Sequence, residues 1–134
     1  MARIRRITAE AVPEPPPGLF SNALLVGDTL YVSGQHAGAA GGGLLGDGSM
    51  ADQTRQALTK IRAFVEAAGG TMADVVTLTV YVTDIGRKAE VSAARREFFS
   101  GDLPCSTLVE VSGFAEPDLA VEIEAVAVIG AGAA

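Results

Sequence analysis

The sequence predicts an α/β (α+β) fold in which a mixed sheet carries two helices on one face. Three observations lead there. Short runs rich in Val, Ile, Leu and Thr read as strands. Two longer stretches repeat their apolar residues at helical spacing. Glycine and proline clusters punctuate the boundaries between them. The resulting order is β-β-β-α-β-α-β-β.

Arg3 to Thr8 reads as a first strand, with Ile4 and Thr8 on one side. Pro13–Gly18 holds four prolines, which remove backbone donors and fix φ, so it is a connector. Ser21 to Val26 and Thr29 to Ser33 flank Gly27-Asp28, a Gly-X pair suited to a type II′ hairpin turn. Ala37 to Gly48 holds six glycines with no phosphate-cradle pattern and is expected to be a flexible surface loop. Ser49 is an N-cap, with Asp52 completing an aspartate variant of the capping box. Met50, Ala57, Leu58, Ile61, Phe64, Val65 and Ala68 form one apolar helix face, and Gly69-Gly70 stops it.

Asp74 to Val82 is the strongest strand. Alternation assigns Val76, Leu78, Val80 and Val82 to one face and Val75, Thr77, Thr79 and Tyr81 to the other. After Asp84-Ile85-Gly86, Lys88 to Ser100 is expected to be helical, with Val91, Ala94 and Phe98 buried and Gly101 at its end. Pro104 opens a strand through Val111, and Leu119 to Ile129 closes the sheet.

A chain of 134 residues, 49% apolar and 19% charged, fits one domain over residues 1–134. With aromatics at 5%, the core has to come from Val, Ile, Leu and Ala. The net charge of −6 argues against a nucleic-acid partner, whose phosphates need clustered Lys and Arg. The short Arg3, Arg5, Arg6 cluster reads as a solvated strand. One cysteine, Cys105, permits no intrachain disulfide and fits a reducing cytoplasmic address. The basic N-terminus lacks the apolar core of a signal peptide, and no run reaches the roughly 18 apolar residues of a membrane span. Two helices cover only one sheet face, so a homo-oligomer with ring-like closure is expected to cover the other.

Candidate chemistry gathers at the last two strands. Glu122 and Glu124 share one side of a strand, and a half-buried carboxylate there would have a raised pKa suited to moving a proton. Glu110 reads as a structural charge. Cys105 is a potential nucleophile only beside a base, and His36 is the one histidine, so the sequence leaves a Cys105–His36 pair open beside a small pocket-lining cysteine. Ser106 and Thr107 are expected to donate hydrogen bonds to a ligand. No ligand-spaced cluster suggests a metal.

These stretches, taken together, resemble the RidA/YjgF family, the reactive intermediate deaminases, also labelled L-PSP endoribonuclease or translation inhibitor. The matching stretches are Phe20-Ser21-Asn22-Ala23, Val26 to Gln35, Gln53 to Leu58, Ala67 to Gly70, Asp74 to Val76, Thr79 to Asp84, Pro104 to Val111, and Val121 to Ala125. The resemblance implies a chorismate-mutase-like fold and a homotrimer with a barrel-like centre. Three clefts between subunits would bind a small metabolite. It implies hydrolysis of enamines and imines, such as 2-aminoacrylate, with no metal and no organic cofactor. Glu122 matches the glutamate that positions water, and Ser33-Gly34-Gln35 matches the strand end that walls the cleft. The family arginine that clamps the substrate carboxylate falls on Ser106, its tyrosine on Phe20 and its asparagine on Ser92. Serine offers one neutral donor where a guanidinium offers two parallel charged ones. The expected site is therefore less charged than the family's, with a substrate other than 2-aminoacrylate. A non-catalytic small-molecule-binding trimer and an endoribonuclease are the competing readings.

Overall fold

The computed structural model describes residues 3–132. Met1, Ala2, Ala133 and Ala134, included in the expected domain bounds, lie outside the described residues. Six strands form one mixed sheet: β1 (Ile4–Arg6), β2 (Ala23–Val26), β3 (Thr29–Gln35), β4 (Val75–Val82), β5 (Cys105–Glu110) and β6 (Val121–Val128). Their spatial order is β1-β2-β3-β6-β4-β5. The last strand in sequence therefore sits near the middle, antiparallel to both β3 and β4, while β5 pairs parallel with β4 at the edge. A parallel pair needs a crossover, and α2 (Lys88–Arg95) lies on the connection between β4 and β5. The other helix, α1 (Met50–Ala67), joins β3 to β4.

The expected apolar stripe of α1 is buried: Met50, Ala57, Leu58, Ile61, Phe64 and Val65 lie in the core. They meet Leu30 and Val32 of β3, Leu78, Val80 and Val82 of β4, and Val121, Ile123, Ala125 and Ala127 of β6. Each large side chain fully removed from water contributes about 1.5–3 kcal/mol. Val91 and Ala94 bury the inner side of α2. Gly27, at φ 59°, and Asp28, without a positive φ, join β2 to β3 in the sign pattern of a type II′ turn. Among the described residues no helix is long and apolar enough to cross a membrane.

Several expectations need correction. Strand β1 spans only three residues, and its neighbour Ile7, not Ile4, is the buried one; Ile4 is 65% exposed at the sheet edge. The register between β4 and β6 shifts between Val75 and Thr77. That irregularity turns Val75 into the core and leaves Val76 outside, the reverse of strict alternation. Asp74 belongs to a short 3₁₀ turn, Met72–Asp74. Helix α2 ends at Arg95; the chain to Phe98 continues as turns, and Phe98 is only partly buried under Arg62, 5.2 Å from its ring centroid. Ser49 does cap α1, accepting from the Asp52 amide at 3.1 Å. The Asp52 carboxylate, however, accepts from Asp47, and the Ser49 amide goes to the Asp47 carboxylate, so the reciprocal half of the box is absent.

The glycine-rich segment 37–48 departs furthest from expectation. Ala37 is fully buried, Gly38 bridges Leu44, and backbone bonds run from Leu45 to Ala37 and from Ala39 to Gly43. It is a folded hairpin-like loop that forms one wall of a hollow.

Candidate functional site

The end of β3 is held by its own local hydrogen bonds. Ser33 donates its hydroxyl to the Ser21 carbonyl at 2.7 Å and its amide to the Asn22 carbonyl at 2.8 Å. Asn22, nearly buried, donates from Nδ2 to the Pro13 carbonyl and so folds the proline connector over the site. Ladder pairing with β6 slips between Val32 and Gln35, which leaves Ser33 and Gly34 bulged. Gly34 leaves the space that Glu122 occupies: a Cβ there would overlap the Glu122 carboxylate where it now sits. Gln35 is buried and turns back to the Ser33 carbonyl at 3.0 Å.

Beyond this bulge lies a hollow of about 390 Å³. Its lining combines apolar Pro16, Phe20 and Leu44 with Gly34, Gln35 and His36 from the end of β3 and the charged Lys60, Glu116 and Asp118. The loop before β6 is pinned by buried Gln53 of α1, which donates to the Asp118 carbonyl and accepts from the Ala120 amide. Lys60 donates from Nζ to the Gly38 carbonyl at 2.8 Å, and burial holds its pKa below the ordinary lysine value. Burial and then the charge of Lys60 hold His36 below the usual imidazole range, against the pull of Glu116. The neutral ring accepts the Gly38 amide at Nδ1.

Glu122 lies on the open face of β6, behind Gly34 and beside Tyr81. Burial first, and the charge of Glu124 second, push its carboxyl above the ordinary glutamate range. Glu124 instead accepts a short hydrogen bond from the Tyr81 hydroxyl, which raises the phenol pKa. The two acids are thereby differentiated: Glu124 is paired, and Glu122 makes no hydrogen bond or ion pair among the described residues.

The other predicted residues lie elsewhere. Ser33 also lines a shallow hollow of about 450 Å³ on the open sheet face with Tyr31, Thr77, Thr79 and Glu124. Cys105 and Thr107 sit on the same face in register with Thr77 and Thr79. Ser106, in register with buried Leu78, points to the helix side, where Arg95 of α2 donates to its hydroxyl at 2.7 Å. Ser92 lines a hollow of about 290 Å³ there with Arg95, Arg96, Phe99, Leu103 and Pro104. The weakly charged surroundings expected at Ser106 are thus not found, because a guanidinium reaches it from the helix. Glu122 pairs with Tyr81 while Ser106 pairs with Leu78. The two are three residues apart along the sheet, about 10 Å, two strands apart, and on opposite faces. Cys105 and His36 are separated by β6 and β4, so one chain holds no thiol–imidazole pair. Among the described residues no group of three His, Cys, Asp or Glu side chains could hold a metal ion.

With this geometry established, similarity to known proteins decides the lineage. The family model described as endoribonuclease L-PSP matches residues 11–129. The chain belongs to the RidA/YjgF family. A RutC family protein from Pyrococcus horikoshii is 37% identical over 121 residues, covering 90% of this chain and 94% of that protein. The 2-iminobutanoate/2-iminopropanoate deaminase of Bos taurus is 34% identical over 127 residues, covering 95% and 92%. A crystal structure of a Pseudomonas aeruginosa protein of unknown function superposes with a TM-score of 0.87 at 43% identity, covering 97% of this chain and 95% of that one.

Lys60 and Arg95 escaped the sequence reading. Both carried a signal. Lys60 sits three residues after Ala57 and four before Phe64, on the buried stripe of α1, where an unpaired lysine calls for a reason. Arg95 follows Val91 by one helical turn and so faces the β5 side rather than solvent.

Proposed function

We propose that this RidA-family chain is a hydrolase of the enamine/imine deaminase type, with Glu122 as its proton-moving residue. The observation that carries this reading is the unpaired, half-buried Glu122 carboxyl, raised in pKa and seated against Gly34. A carboxyl of this kind can take a proton from water as it adds to a C=N carbon and return it to nitrogen as ammonia leaves. Imine and water give carbonyl and ammonia, and neither metal nor organic cofactor is needed for the balance. The relatives named 2-iminobutanoate/2-iminopropanoate deaminases support the class.

The working unit is a homotrimer with clefts between subunits, in the cytoplasm. The separation of Glu122 from Ser106 supports it: a ligand touching both needs a neighbouring copy. Open-face residues Tyr31 and Val109, 52% and 38% exposed, supply apolar surface for that contact. The substrate differs from 2-aminoacrylate, because Ser106 replaces the strand arginine and the cation comes instead from α2. The net charge of −6 places an endoribonuclease behind this reading.

The test is to generate 2-iminopropanoate, a longer 2-imino acid and an uncharged imine in situ and to follow their decay with and without protein. Acceleration of at least one, abolished in Glu122→Ala, is expected. Unchanged decay of all three removes the deaminase reading in favour of a non-catalytic binding trimer. Sedimentation at three times the 13.6 kDa chain mass is expected; a monomer at working concentration would contradict the intersubunit cleft.

A further inference from the structure

Three cations on and just after α2, Lys88, Arg95 and Arg96, have no carboxylate partner among the described residues, and of the three only Arg95 is held by a side-chain hydrogen bond. Arg87 is neutralised by Glu90, and Arg55, which reaches α2's trailing turn, by Glu97 and Asp52. Arg62 lies over Phe98. Arg95 has no carboxylate partner among the described residues; its hydrogen bond goes to the neutral hydroxyl of Ser106 on the neighbouring strand. That bond fixes the guanidinium at the wall of the 290 Å³ hollow, with Ser92 and Arg96 beside it and Phe99, Leu103 and Pro104 forming an apolar side.

The chemistry of the pair is directional. A serine hydroxyl has one proton and two acceptor lone pairs. Because Ser106 accepts from Arg95, its own proton stays free to donate outward. Arg95 uses one of its five N–H donors and keeps the others. The pair therefore presents charged and neutral donors side by side, which is what a planar carboxylate accepts. In a chain of net charge −6, this spot is a local exception, and Arg96 adds to its positive charge.

We infer that Arg95, held by Ser106, is the carboxylate-binding residue of this protein, and that the hollow takes a small carboxylate with a short apolar tail. This rests on the deaminase reading only for the statement that the carboxylate belongs to a substrate. The binding itself is independent of turnover. The guanidinium stands on a helix and reaches the strand from the side. The carboxylate is therefore held where the helix meets β5, and Phe99, Leu103 and Pro104 supply an apolar wall for its tail.

The test is titration of the full chain with pyruvate and 2-oxobutanoate by calorimetry or NMR, alongside Arg95→Gln, Ser106→Ala and thermal melts of each. Gln keeps a donor toward Ser106 but removes the charge. Saturable binding that weakens with added salt is expected, tighter for 2-oxobutanoate than for pyruvate, and about tenfold to a hundredfold weaker in Arg95→Gln at unchanged melting temperature. Ser106→Ala should lose less, about threefold to tenfold. No saturable binding of either acid, or binding that Arg95→Gln leaves intact, overturns the inference. Turnover of an uncharged imine without carboxylate binding would sink this inference and leave the deaminase reading standing. Carboxylate binding without turnover of any imine would do the opposite.

Discussion

Two strand ends, one central and one at the sheet edge, handle charge in opposite ways. At the β3–β6 end, Glu122 stands unpaired against a glycine, and its neighbours Glu124 and Tyr81 satisfy each other. At the β5–α2 edge, a serine on the strand holds an arginine from the helix. The first end is built by segments that each carry their own motif: the Ser33-Gly34-Gln35 bulge and the alternating Glu122, Glu124. The second is built by a contact between positions eleven residues apart, which the one-turn spacing of Arg95 from Val91 hints at without naming the partner. The proposed function and the proposed carboxylate site divide the labour along this contrast, with proton transfer at the first place and ligand recognition at the second, joined by the proposed assembly.

The sharpest way to break that division is Glu122→Gln. The substitution keeps shape and hydrogen-bonding capacity but cannot move a proton. It is expected to lower kcat for any accelerated imine by about 10²-fold or more, with keto-acid binding changed by less than about threefold. Equal losses in both quantities would mean that the two ends act as one site. Arg95→Gln is its mirror image, expected to act on binding first.

Next in size is Gly34→Ala. The new Cβ meets the end of a flexible side chain, so Glu122 can swing aside at little structural cost. A kcat loss of about tenfold with a melting temperature within roughly 2 °C of wild type is expected. A large drop in melting temperature would show that the bulge, not the carboxylate, needs the glycine.

The same contrast explains how much could be read in advance. Helix α1 was legible because its stripe from Met50 to Val65 is long and periodic and its cap is local. Val75 and Val76 were assigned to the wrong faces because a bulge is set by pairing with Val126 and Ala127 of β6, distant in sequence, rather than by the local pattern. Segment 37–48 lacks periodicity, yet it is ordered by backbone bonds and by Lys60 from another element. The strand pattern put Glu122 and Glu124 on one side, and the resemblance to the family's glutamate singled out Glu122. Arg95 was not singled out, because what defines it is the missing carboxylate partner and the bond to Ser106, properties of the folded chain.

A smaller effect separates stability from both ends. Ser49→Ala removes the hydroxyl that satisfies the Asp52 amide at the start of α1 and touches neither Glu122 nor Arg95. The expected cost is about 1 kcal/mol, or roughly 3–5 °C in Tm, with kcat and keto-acid binding unchanged. Any change in activity beyond the fraction unfolded would show that the Asp47–Ser49 turn helps to shape the glycine-rich wall.

The smallest expected effect is the pH dependence that Glu122 adds to stability. Its folded pKa lies above the ordinary glutamate value because burial and Glu124 disfavour the charged form. A group raised in this way contributes fully below its unfolded pKa, and that contribution is lost as pH rises through the folded pKa. At neutral pH the ionised Glu122 is therefore a mild liability, which Glu122→Gln relieves. The variant should melt above wild type near pH 7, by on the order of 1 °C after solvent screening of a half-buried group, and the gap should shrink as pH falls toward 4. Assembly would deepen the burial of Glu122, so the gap should widen at protein concentrations that favour the oligomer. A gap independent of both pH and concentration would remove the case for a strained acid at the subunit boundary, leaving Glu122 as an ordinary charge on a solvated strand.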